Sequence, residues 1–490
     1  MIRTTPAAVR LLTLLALGLS AEVQLTACKG GSEFVDTAAP DDSEPVIDTA
    51  PPGCAAPVWR DRGTLGAEAT GGYLDVAVSD THVIVIDNAA EPSEDGDSFN
   101  YERAAYAVER ELLVGAEYGV HFVTNADAII EGPLDRVQVI GHQLVLGRGQ
   151  GAVGDTADEY LGGNVAAIDV GDIAADYDGK ITDEGVATLT YWNVQGSEQN
   201  SGAQSADFDT DVTGDGVLDL IVRVEGGLMI FSGATMAEMT GAERSALAED
   251  QAWGILEMPL PCEAAPVDTA VFGTGAAGQG VLAVSCPPDS EDGPAGALHL
   301  YDLPLAPPSG DYPPPNDITE ENEEVRFGLK SGAGGVLVSE GIGRPLFAAS
   351  PGMGRVLELD APGVASDTLT QRYVFSPEAP GTTEGVGRFG AAVALVRDGA
   401  GCVSLVVTDP AYPLSEGEGY GVVYGVPVDH ATASSAVWSS WKAPYGALMT
   451  DPKHALGSTL AVSPDGSFVA VGSAIGADGW RTQLNVLSVE

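Results

Sequence analysis

Short runs of apolar residues, bounded by Gly, Pro and Asp, recur at even distances along the chain. The clearest runs are Val83–Ile86, Leu144–Leu146, Leu218–Val222, Val281–Val284, Leu346–Ala349, Leu405–Val407 and Phe468–Val471. Their starting positions lie 59 to 74 residues apart, which gives seven units of about 64 residues. Runs of this length that are rich in Val and Ile are typical of β-strands. The spacing predicts an internal repeat rather than an irregular β-sandwich.

Most units contain further short apolar segments on either side of the central run. Segments before it are Val76–Val78, Val137–Ile140, Val336–Val338, Ala391–Leu395 and Leu460–Val462. Segments directly after it are Asn164–Ile168, Gly227–Phe231, Ala297–Tyr301, Arg355–Leu359, Tyr420–Tyr424 and Gln483–Leu487. Fourth segments are Leu189–Trp192, Trp253–Leu256, Tyr373–Phe375 and Ala436–Trp438. Four strands per radially arranged unit describe a propeller blade, so we predict an all-β, seven-bladed β-propeller over residues 57–490.

The last unit ends at Glu490, directly after its third strand. An N-terminal strand around Pro57–Arg60 is therefore predicted to close the last blade. This closure would cover two sheet edges that otherwise invite aggregation.

Composition agrees with a turn-rich β-protein and narrows the class of partner. The chain has 63 Gly and 31 Pro among 490 residues, which fits many short strands joined by turns. It carries 71 Asp and Glu against 22 Lys and Arg, a formal net charge of −49. Nucleic acid is excluded as a partner, because such a surface repels phosphates.

Residues 1–27 are predicted to be a signal peptide of the lipoprotein type. Arg3 and Arg10 come before Leu11–Leu19, an apolar run too short to span a bilayer. Leu25–Cys28 resembles a bacterial lipobox, which implies that Cys28 becomes lipidated. The alternative is ordinary secretion with cleavage near Ala21. We expect an exported protein of the bacterial cell envelope, an outer-membrane lipoprotein facing the periplasm or the cell surface, that contacts the membrane only through its lipid.

Residues 28–56 are predicted to be a lipidated Cys followed by a disordered acidic tether rich in Pro and Thr. Such a segment buries too little apolar surface to offset its conformational entropy. Four cysteines follow Cys28, which permits two disulfides in an exported protein. Proximity favours Cys262–Cys286 and leaves Cys54–Cys402, with four buried free thiols as the alternative.

One motif, Asp211–Val222 in the third unit, has a pattern suited to a cation. Its carboxylates stand at loop positions 1, 5 and 9, namely Asp211, Asp215 and Asp219. Thr213 could add a hydroxyl oxygen and Val217 its carbonyl, and Ca²⁺ prefers such an oxygen set. The motif predicts one structural Ca²⁺, and the alternative is a ligand-free acidic turn. A second acidic run, Asp169–Glu184, is predicted to be a solvated insertion.

Asp211–Val222, followed by Gly227–Gly233, resembles the FG-GAP repeat of integrin alpha-subunit β-propellers. Phe327-Gly328 and Phe389-Gly390 match the Phe-Gly signature of that repeat. The resemblance covers 57–490, although only one unit carries the full ion motif and Thr213 replaces the usual Asn or Asp. It implies adhesion or protein interaction.

No catalytic motif stands out, since no His-x-x-x-His and no Gly-x-Ser-x-Gly occurs. We therefore predict a non-enzymatic, calcium-stabilised binding or adhesion protein, whose unidentified protein or glycan ligand is held on a propeller rim. The alternative is a carbohydrate-active hydrolase or lyase that uses acidic residues at the channel mouth.

Overall fold

In a computed structural model of the chain, the described residues between Cys54 and Glu490 lie mainly in β-strands. The described residues are 54–66, 73–87, 91–92, 99–100, 103–113, 120–121, 126, 128–132, 136–140, 143–148, 164–169, 177–180, 191–195, 205–224, 227–239, 252–257, 268–274, 280–286, 297–305, 316–318, 336–350, 354–360, 370–374, 389–413, 420–428, 439–441, 456–473 and 483–490. The predicted signal peptide, Cys28 and most of the predicted tether lie outside these residues.

The described strands form seven sheets of four or five strands and one two-stranded ribbon. Sheet 1 contains β2 (Tyr73–Val78), β3 (His82–Asp87), β6 (Arg103–Glu109), β8 (Ala128–Gly132) and β12 (Tyr177–Lys180). Sheet 2 contains β9 (Arg136–Ile140), β10 (Gln143–Arg148), β11 (Asn164–Asp169) and β13 (Tyr191–Gln195). Sheet 3 contains β14 (Ser205–Thr210), β15 (Asp219–Val224), β16 (Gly227–Phe231) and β17 (Gly254–Glu257). Sheet 4 contains β18 (Asp268–Phe272), β19 (Val281–Cys286), β20 (Ala297–Asp302) and β21 (Asn316–Ile318).

The remaining sheets are also mainly antiparallel. Sheet 5 contains β22 (Leu337–Ser339), β23 (Leu346–Ser350), β24 (Arg355–Asp360) and β25 (Thr370–Val374). Sheet 6 contains β26 (Val393–Arg397), β27 (Val403–Pro413), β28 (Tyr420–Pro427) and β29 (Ser439–Trp441). Sheet 7 contains β30 (Leu456–Val462), β31 (Phe468–Ser473), β32 (Gln483–Val489), β1 (Trp59–Gly66) and β7 (Val120–His121). The ribbon pairs β4 (Glu91–Pro92) with β5 (Phe99–Asn100). The described part of the chain also has two short helices, α1 (Arg110–Leu113) and α2 (Gly233–Glu238).

The N-terminal strand pairs with the C-terminal strand, as the sequence predicts. β1 runs antiparallel to β32, with Trp59 opposite Val489 and Leu65 opposite Leu484. Backbone bonds continue the pairing beyond the strands, because Val58 and Glu490 exchange N–H···O contacts of 3.2 and 3.0 Å. Sheet 7 is therefore built from both ends of the described chain.

Successive sheets pack face to face through apolar side chains. Six apolar clusters each combine two sheets: sheets 1 and 2, 3 and 4, 4 and 5, 5 and 6, 6 and 7, and 7 and 1. Sheet 3 contacts sheet 2 through β14 against β9 and β10. Each sheet thus contacts the sheets before and after it in the chain, and sheet 7 contacts sheet 1.

Strand β3 shows why the central strands are apolar at every position. Ile84 and Ile86 pack toward sheet 2, whereas Val83 and Val85 pack toward sheet 7. All four side chains are fully buried. A strand covered on both faces reads as a continuous apolar run rather than as an alternating one.

Two carboxylates connect neighbouring sheets by accepting backbone N–H groups. Asp75 Oδ2 in β2 accepts from Val137 N of β9 at 3.1 Å. Asp268 Oδ2 in β18 accepts from Leu337 N of β22 at 2.9 Å. In both cases the donor lies on the first strand of the next sheet along the chain. The bond therefore fixes that strand relative to the first strand of the preceding sheet.

The acidic run Asp169–Glu184, predicted to be a solvated insertion, lies partly within the described residues. Part of it forms β12, which runs parallel to β8 at the edge of sheet 1, with Tyr177 opposite Ala128. β12 was not predicted from the sequence, and neither were β4 to β8, β14, β18 and β21. Among the described residues, no helix has the length and apolar character needed to cross a membrane.

Candidate functional site

The loop between β14 and β15, residues 211–218, brings the three predicted carboxylates together. Oxygens of Asp211, Asp215 and Asp219 all lie within 4.8 Å of one another. Asp211 is half-buried, Asp215 is exposed and Asp219 is fully buried. The three carboxylates therefore differ in burial, from fully buried in the core to exposed to solvent.

Asp211 fixes the turn of the loop through backbone donors. Its Oδ1 accepts from Gly214 N at 2.6 Å and from Asp215 N at 3.1 Å, and its Oδ2 accepts from Gly216 N at 2.8 Å. Gly214 and Gly216 have φ values of 77° and 89°, a left-handed conformation that favours glycine. A Cβ on Gly214 would also lie 2.8 Å from Pro304 Cβ. These two glycines are therefore part of the site.

Asp219 anchors the loop to the core. Its Oδ2 accepts from Val212 N and Thr213 N, both at 2.7 Å. Its Oδ1 accepts from Gly233 N at 2.8 Å and from Thr213 Oγ1 at 3.2 Å. Burial raises the pKa of Asp219, while the N–H donors act in the opposite direction.

Asp215 is held by residues that follow β16. Ser232 Oγ donates to its Oδ2 at 2.5 Å, and Ala234 N donates to the same oxygen at 3.3 Å. The Ser232 hydroxyl is the main cause of the lowered pKa of Asp215. Ser232 also accepts from Thr235 N at 3.2 Å and so caps α2.

Ser232 and Gly233 are the residues of this site that the sequence reasoning missed. A Cβ on Gly233 would lie only 2.1 Å from Leu218 O, so that only glycine fits against the loop. The Ser-Gly pair directly after β16 was part of the predicted motif, but the sequence analysis assigned no role to it.

The other two predicted ligands lie in the same loop. The Thr213 hydroxyl is already directed at Asp219, through its bond to Oδ1. Val217 donates its backbone N–H to Asp215 Oδ1 at 2.9 Å, and its side chain is 42 % exposed.

Cys54 and Cys402 form a disulfide bond, with their Cα atoms 5.7 Å apart. Cys286, at the end of β19, is also disulfide-bonded. Cys262 lies outside the described residues.

A cavity of about 890 Å³ opens beside the loop, between the first strands of sheets 2 to 5. Its described wall includes three carboxylates, those of Asp211, Asp268 and Glu340. Asp268 Oδ1 accepts from Arg223 Nη1 and from Thr269 N, both at 3.0 Å. Burial raises the pKa of Asp268, and the Arg223 guanidinium opposes that shift.

The sequence matches no family model, and no curated protein matches it. Several solved structures resemble the fold. They include the WD40 domain of Toxoplasma gondii coronin (9 % identity, TM-score 0.42, 89 % of this chain and 88 % of that chain). They also include Kuenenia stuttgartiensis hydrazine synthase (9 %, 0.42, 86 % and 96 %) and virginiamycin B lyase from Staphylococcus aureus (10 %, 0.40, 88 % and 99 %). At these values the likenesses identify neither a family nor a function.

Proposed function

We propose that the chain is a calcium-stabilised binding protein without catalytic activity, in which loop 211–218 holds one structural Ca²⁺. The observation that carries this proposal is the convergence of Asp211, Asp215 and Asp219 within 4.8 Å. Ca²⁺ takes six to eight oxygen ligands, which carboxylates, hydroxyls, carbonyls and water can supply. Thr213 Oγ1 and the Val217 carbonyl complete the proposed protein ligands.

Electrostatics favour a cation at this position. Three carboxylates this close repel one another, and burial adds a cost for the charge on Asp219. Backbone N–H groups offset part of that cost. A divalent ion would remove most of the remaining repulsion and would connect the loop to the start of β15 through Asp219.

We further propose that the seven sheets are the blades of one propeller of the FG-GAP type. Their cyclic order of contacts and the pairing of β1 with β32 support this arrangement. In such a propeller the loops that join first and second strands share one rim, which is the surface proposed to bind a protein or glycan.

A calcium titration with a matched control tests the ion site. Ca²⁺ is expected to raise the melting temperature of the wild-type protein and to have little effect on Asp215→Asn, which lacks one ligand charge. Asp398→Asn is the control, because Asp398 stands in the corresponding loop of sheet 6 and accepts from Ala400 N and Cys402 N. It should respond like the wild type. An equal response of Asp215→Asn would contradict the proposed site.

Export as a lipoprotein is proposed from the N-terminal sequence alone. Labelled palmitate should be incorporated by the wild-type protein in a bacterial host and not by Cys28→Ser. Incorporation by both proteins, or by neither, would contradict the lipobox interpretation.

The raised pKa of Asp268 favours the enzymatic alternative, since a carboxyl of raised pKa beside a cavity can serve as a general acid. Its contacts argue against that role. Both oxygens accept hydrogen bonds, from Arg223, Thr269 N and Leu337 N, which favour the charged acceptor. As a general acid, Asp268 would have to carry a proton on an oxygen that now accepts from one or two of these donors. Release of reducing sugar from a polysaccharide panel, abolished by Asp268→Asn, would support the alternative.

A further inference from the structure

The described loops at one end of the sheets contact one another and form a continuous rim. We call it the ion-loop rim, and it consists of the loops that join first and second strands, namely 79–81, 211–218, 340–345, 398–402 and 463–467, with Gly273, Thr274 and Gly280 of sheet 4. Third strands end at the same rim, because they run antiparallel to the second strands.

Hydrogen bonds and one ring contact connect neighbouring sheets along the ion-loop rim. They are Leu305 N to Val212 O (2.8 Å), Gly343 N to Gly273 O (2.6 Å), Arg397 Nη2 to Glu340 Oε1 (2.8 Å), Arg397 N to Gly466 O (3.0 Å) and the Arg110 guanidinium over the Phe468 ring (3.6 Å). The rim therefore runs from sheet 3 through sheets 4, 5, 6 and 7 to sheet 1.

All five exposed large apolar side chains of the described residues lie at this rim. They are Val58, Leu112, Val217, Leu218 and Ile342, and between 42 and 57 % of each is exposed. Val217, Leu218 and Ile342 lie in the rim loops themselves. Leu112 lies in α1, directly after the third strand of sheet 1, and Val58 precedes β1 beside the end of β32. Single exposed aliphatic side chains are ordinary, but their restriction to one end indicates a surface that meets an apolar environment.

The chain enters the described structure at the same rim. Cys54 is bonded to Cys402 in the sheet 6 loop of the rim, and Val58 exchanges backbone N–H···O contacts with Glu490. Cys28, the proposed site of lipidation, stands 26 residues before Cys54. Because an extended chain spans at most about 3.6 Å per residue, the rim stays within about 94 Å of a lipid on Cys28. Such a tether gives a high effective concentration, so a weak attraction to the lipid surface is enough.

We propose that the ion-loop rim docks on the phospholipid surface of the membrane that holds the lipid anchor, with Val217, Leu218 and Ile342 entering the interface between headgroups and acyl chains. The inference rests on the proposed lipid anchor and names a lipid surface as a partner of the rim. Removal of the aliphatic side chains from water supplies the attraction. A protein or glycan that binds this rim would then be one that itself lies at the membrane.

Charge decides which lipids the rim would contact. Two acids of the rim are paired with arginines, Glu340 with Arg397 at 2.8 Å and Glu490 with Arg60 at 2.5 Å. Ca²⁺ in loop 211–218 would offset two of the three carboxylate charges there. The whole chain still has a formal net charge of −49, which anionic lipid repels. We therefore expect docking on zwitterionic lipid and weaker docking where anionic lipid is added.

Fluorescence quenching by brominated lipid tests the proposal on the full-chain lipoprotein, held in phosphatidylcholine vesicles with Ca²⁺ present. Leu218→Trp and Ile342→Trp each place a reporter on the rim, and the signal of the six native Trp is subtracted with the wild type. Both reporters should lose fluorescence in vesicles whose acyl chains carry bromine. Ser440→Trp is the matched control and should keep its fluorescence, because Ser440 is exposed on β29, the outermost described strand of sheet 6.

Polar substitutions test whether the aliphatic side chains cause the docking. In the Leu218→Trp protein, Ile342→Asn and Leu112→Asn should each lower the ratio of docked to undocked protein about three- to tenfold, since each removes an apolar group from the interface. Added phosphatidylglycerol should also reduce the quenching. Unchanged quenching in both Asn variants would overturn the proposal, because the contact would then not depend on these side chains.

Two other results would also overturn it. Equal quenching of Ser440→Trp and of the rim reporters would show that the anchored protein turns no preferred face to the lipid. Absence of quenching at the rim would show that no lipid covers it. In that case, shielding of the added Trp from iodide would identify a second copy of the chain or another protein as the occupant, and access to iodide would show a rim open to solvent.

Flotation and thermal melts separate this inference from the proposals beside it. A wild-type protein that does not float with the vesicles would contradict the lipid anchor and with it this inference. A missing rise in melting temperature with Ca²⁺ would contradict the ion site. A protein that floats and responds to Ca²⁺, but whose rim reporters are not quenched, would contradict only the docking proposed here.

Discussion

Cys54 and Cys402 are 348 residues apart in the sequence and are joined by a disulfide bond. The bond attaches the segment before β1 to the loop between β26 and β27 of sheet 6. β1 itself belongs to sheet 7, where it pairs with β32. Trp59 also reaches sheet 6, since its Nε1 donates to Ser439 Oγ at 3.0 Å. The N-terminal segment therefore fastens two neighbouring sheets together.

Removing this disulfide should lower the stability of the protein markedly. The double variant Cys54→Ser/Cys402→Ser loses a cross-link across most of the chain, and such losses cost about 2–5 kcal/mol. Urea denaturation of the double variant and the wild type measures the difference. Reduction of the wild type is a poorer test, because Cys286 is also disulfide-bonded. Equal stability of the two proteins would show that strand pairing alone holds β1 in place.

The contact between β1 and sheet 6 should be sensitive to a single methyl group. A Cβ on Gly425 in β28 would lie 2.4 Å from Pro57 Cγ and 2.7 Å from Trp59 Cζ2. Gly425→Ala is therefore expected to destabilise the protein by about 1–3 kcal/mol through overpacking. Gly399→Ala is the control, because nothing lies within 4 Å of its added Cβ. Thermal melts of both variants make the comparison, and a loss of stability in Gly399→Ala of similar size would contradict the packing explanation.

The central strands were predictable because a strand that is buried on both faces requires apolar residues at every position. Val83–Ile86 is apolar at every position, and each side chain contacts one of two neighbouring sheets. The same reason limits the prediction, since a continuous run does not show which side chain faces which sheet. The pairing of β1 with β32 was predictable from the incomplete last unit.

The first strands of sheets 3 and 4 were missed for a different physical reason. β14 reads Ser-Ala-Asp-Phe-Asp-Thr and β18 begins with Asp-Thr, so neither carries a strong apolar pattern. Asp268 is placed there by long-range contacts with Arg223 and Leu337 N, which no local pattern shows. The carboxylate spacing of the ion loop was visible in the sequence. The Ser-Gly pair at 232–233 was visible as well, but its role was not, because that role depends on a second strand turning back beside the loop.

Asp268 and Arg223 should act as a coupled pair in stability. Arg223 Nη1 lies 3.0 Å from Asp268 Oδ1, and the two side chains are 7 % and 18 % exposed. Asp268→Asn leaves the guanidinium without its counter-charge and replaces one of the two acceptor oxygens by an NH₂ donor, so we expect a loss of about 3–5 kcal/mol. Glu340→Gln, whose arginine partners are exposed, should cost less than about 1 kcal/mol.

A double-mutant cycle measures that coupling directly. Arg223→Met removes the charge that Asp268→Asn leaves behind, so the double variant should be more stable than the sum of the single losses implies. Denaturant unfolding of the four proteins gives the interaction free energy. Additive losses would show that Asp268 acts through Leu337 N and Thr269 N rather than through the ion pair.

The pH dependence of stability should contain a contribution from Asp465, in the loop between β30 and β31. Burial alone would raise the pKa of this carboxyl, but the hydroxyls of Ser463 and Ser467, the Ser467 N–H and the charge of Arg110 lower it below 3.8. Ser463 Oγ and Ser467 Oγ donate to it at 2.5 and 2.6 Å. A lowered pKa in the folded state means that the folded protein favours the ionised form more than the unfolded chain does.

The stabilisation by Asp465 is therefore fully present above about pH 4 and is lost as the pH falls through its folded pKa. Asp465→Asn should melt at a lower temperature than the wild type at pH 7, and the difference should shrink below pH 4. Ser467→Ala removes one hydroxyl donor and should reduce the pH-dependent part of the difference. Melting curves from pH 7 to pH 3 check both expectations. A difference between Asp465→Asn and the wild type that stays constant with pH would show that Asp465 contributes through the shape of the turn and not through its charge.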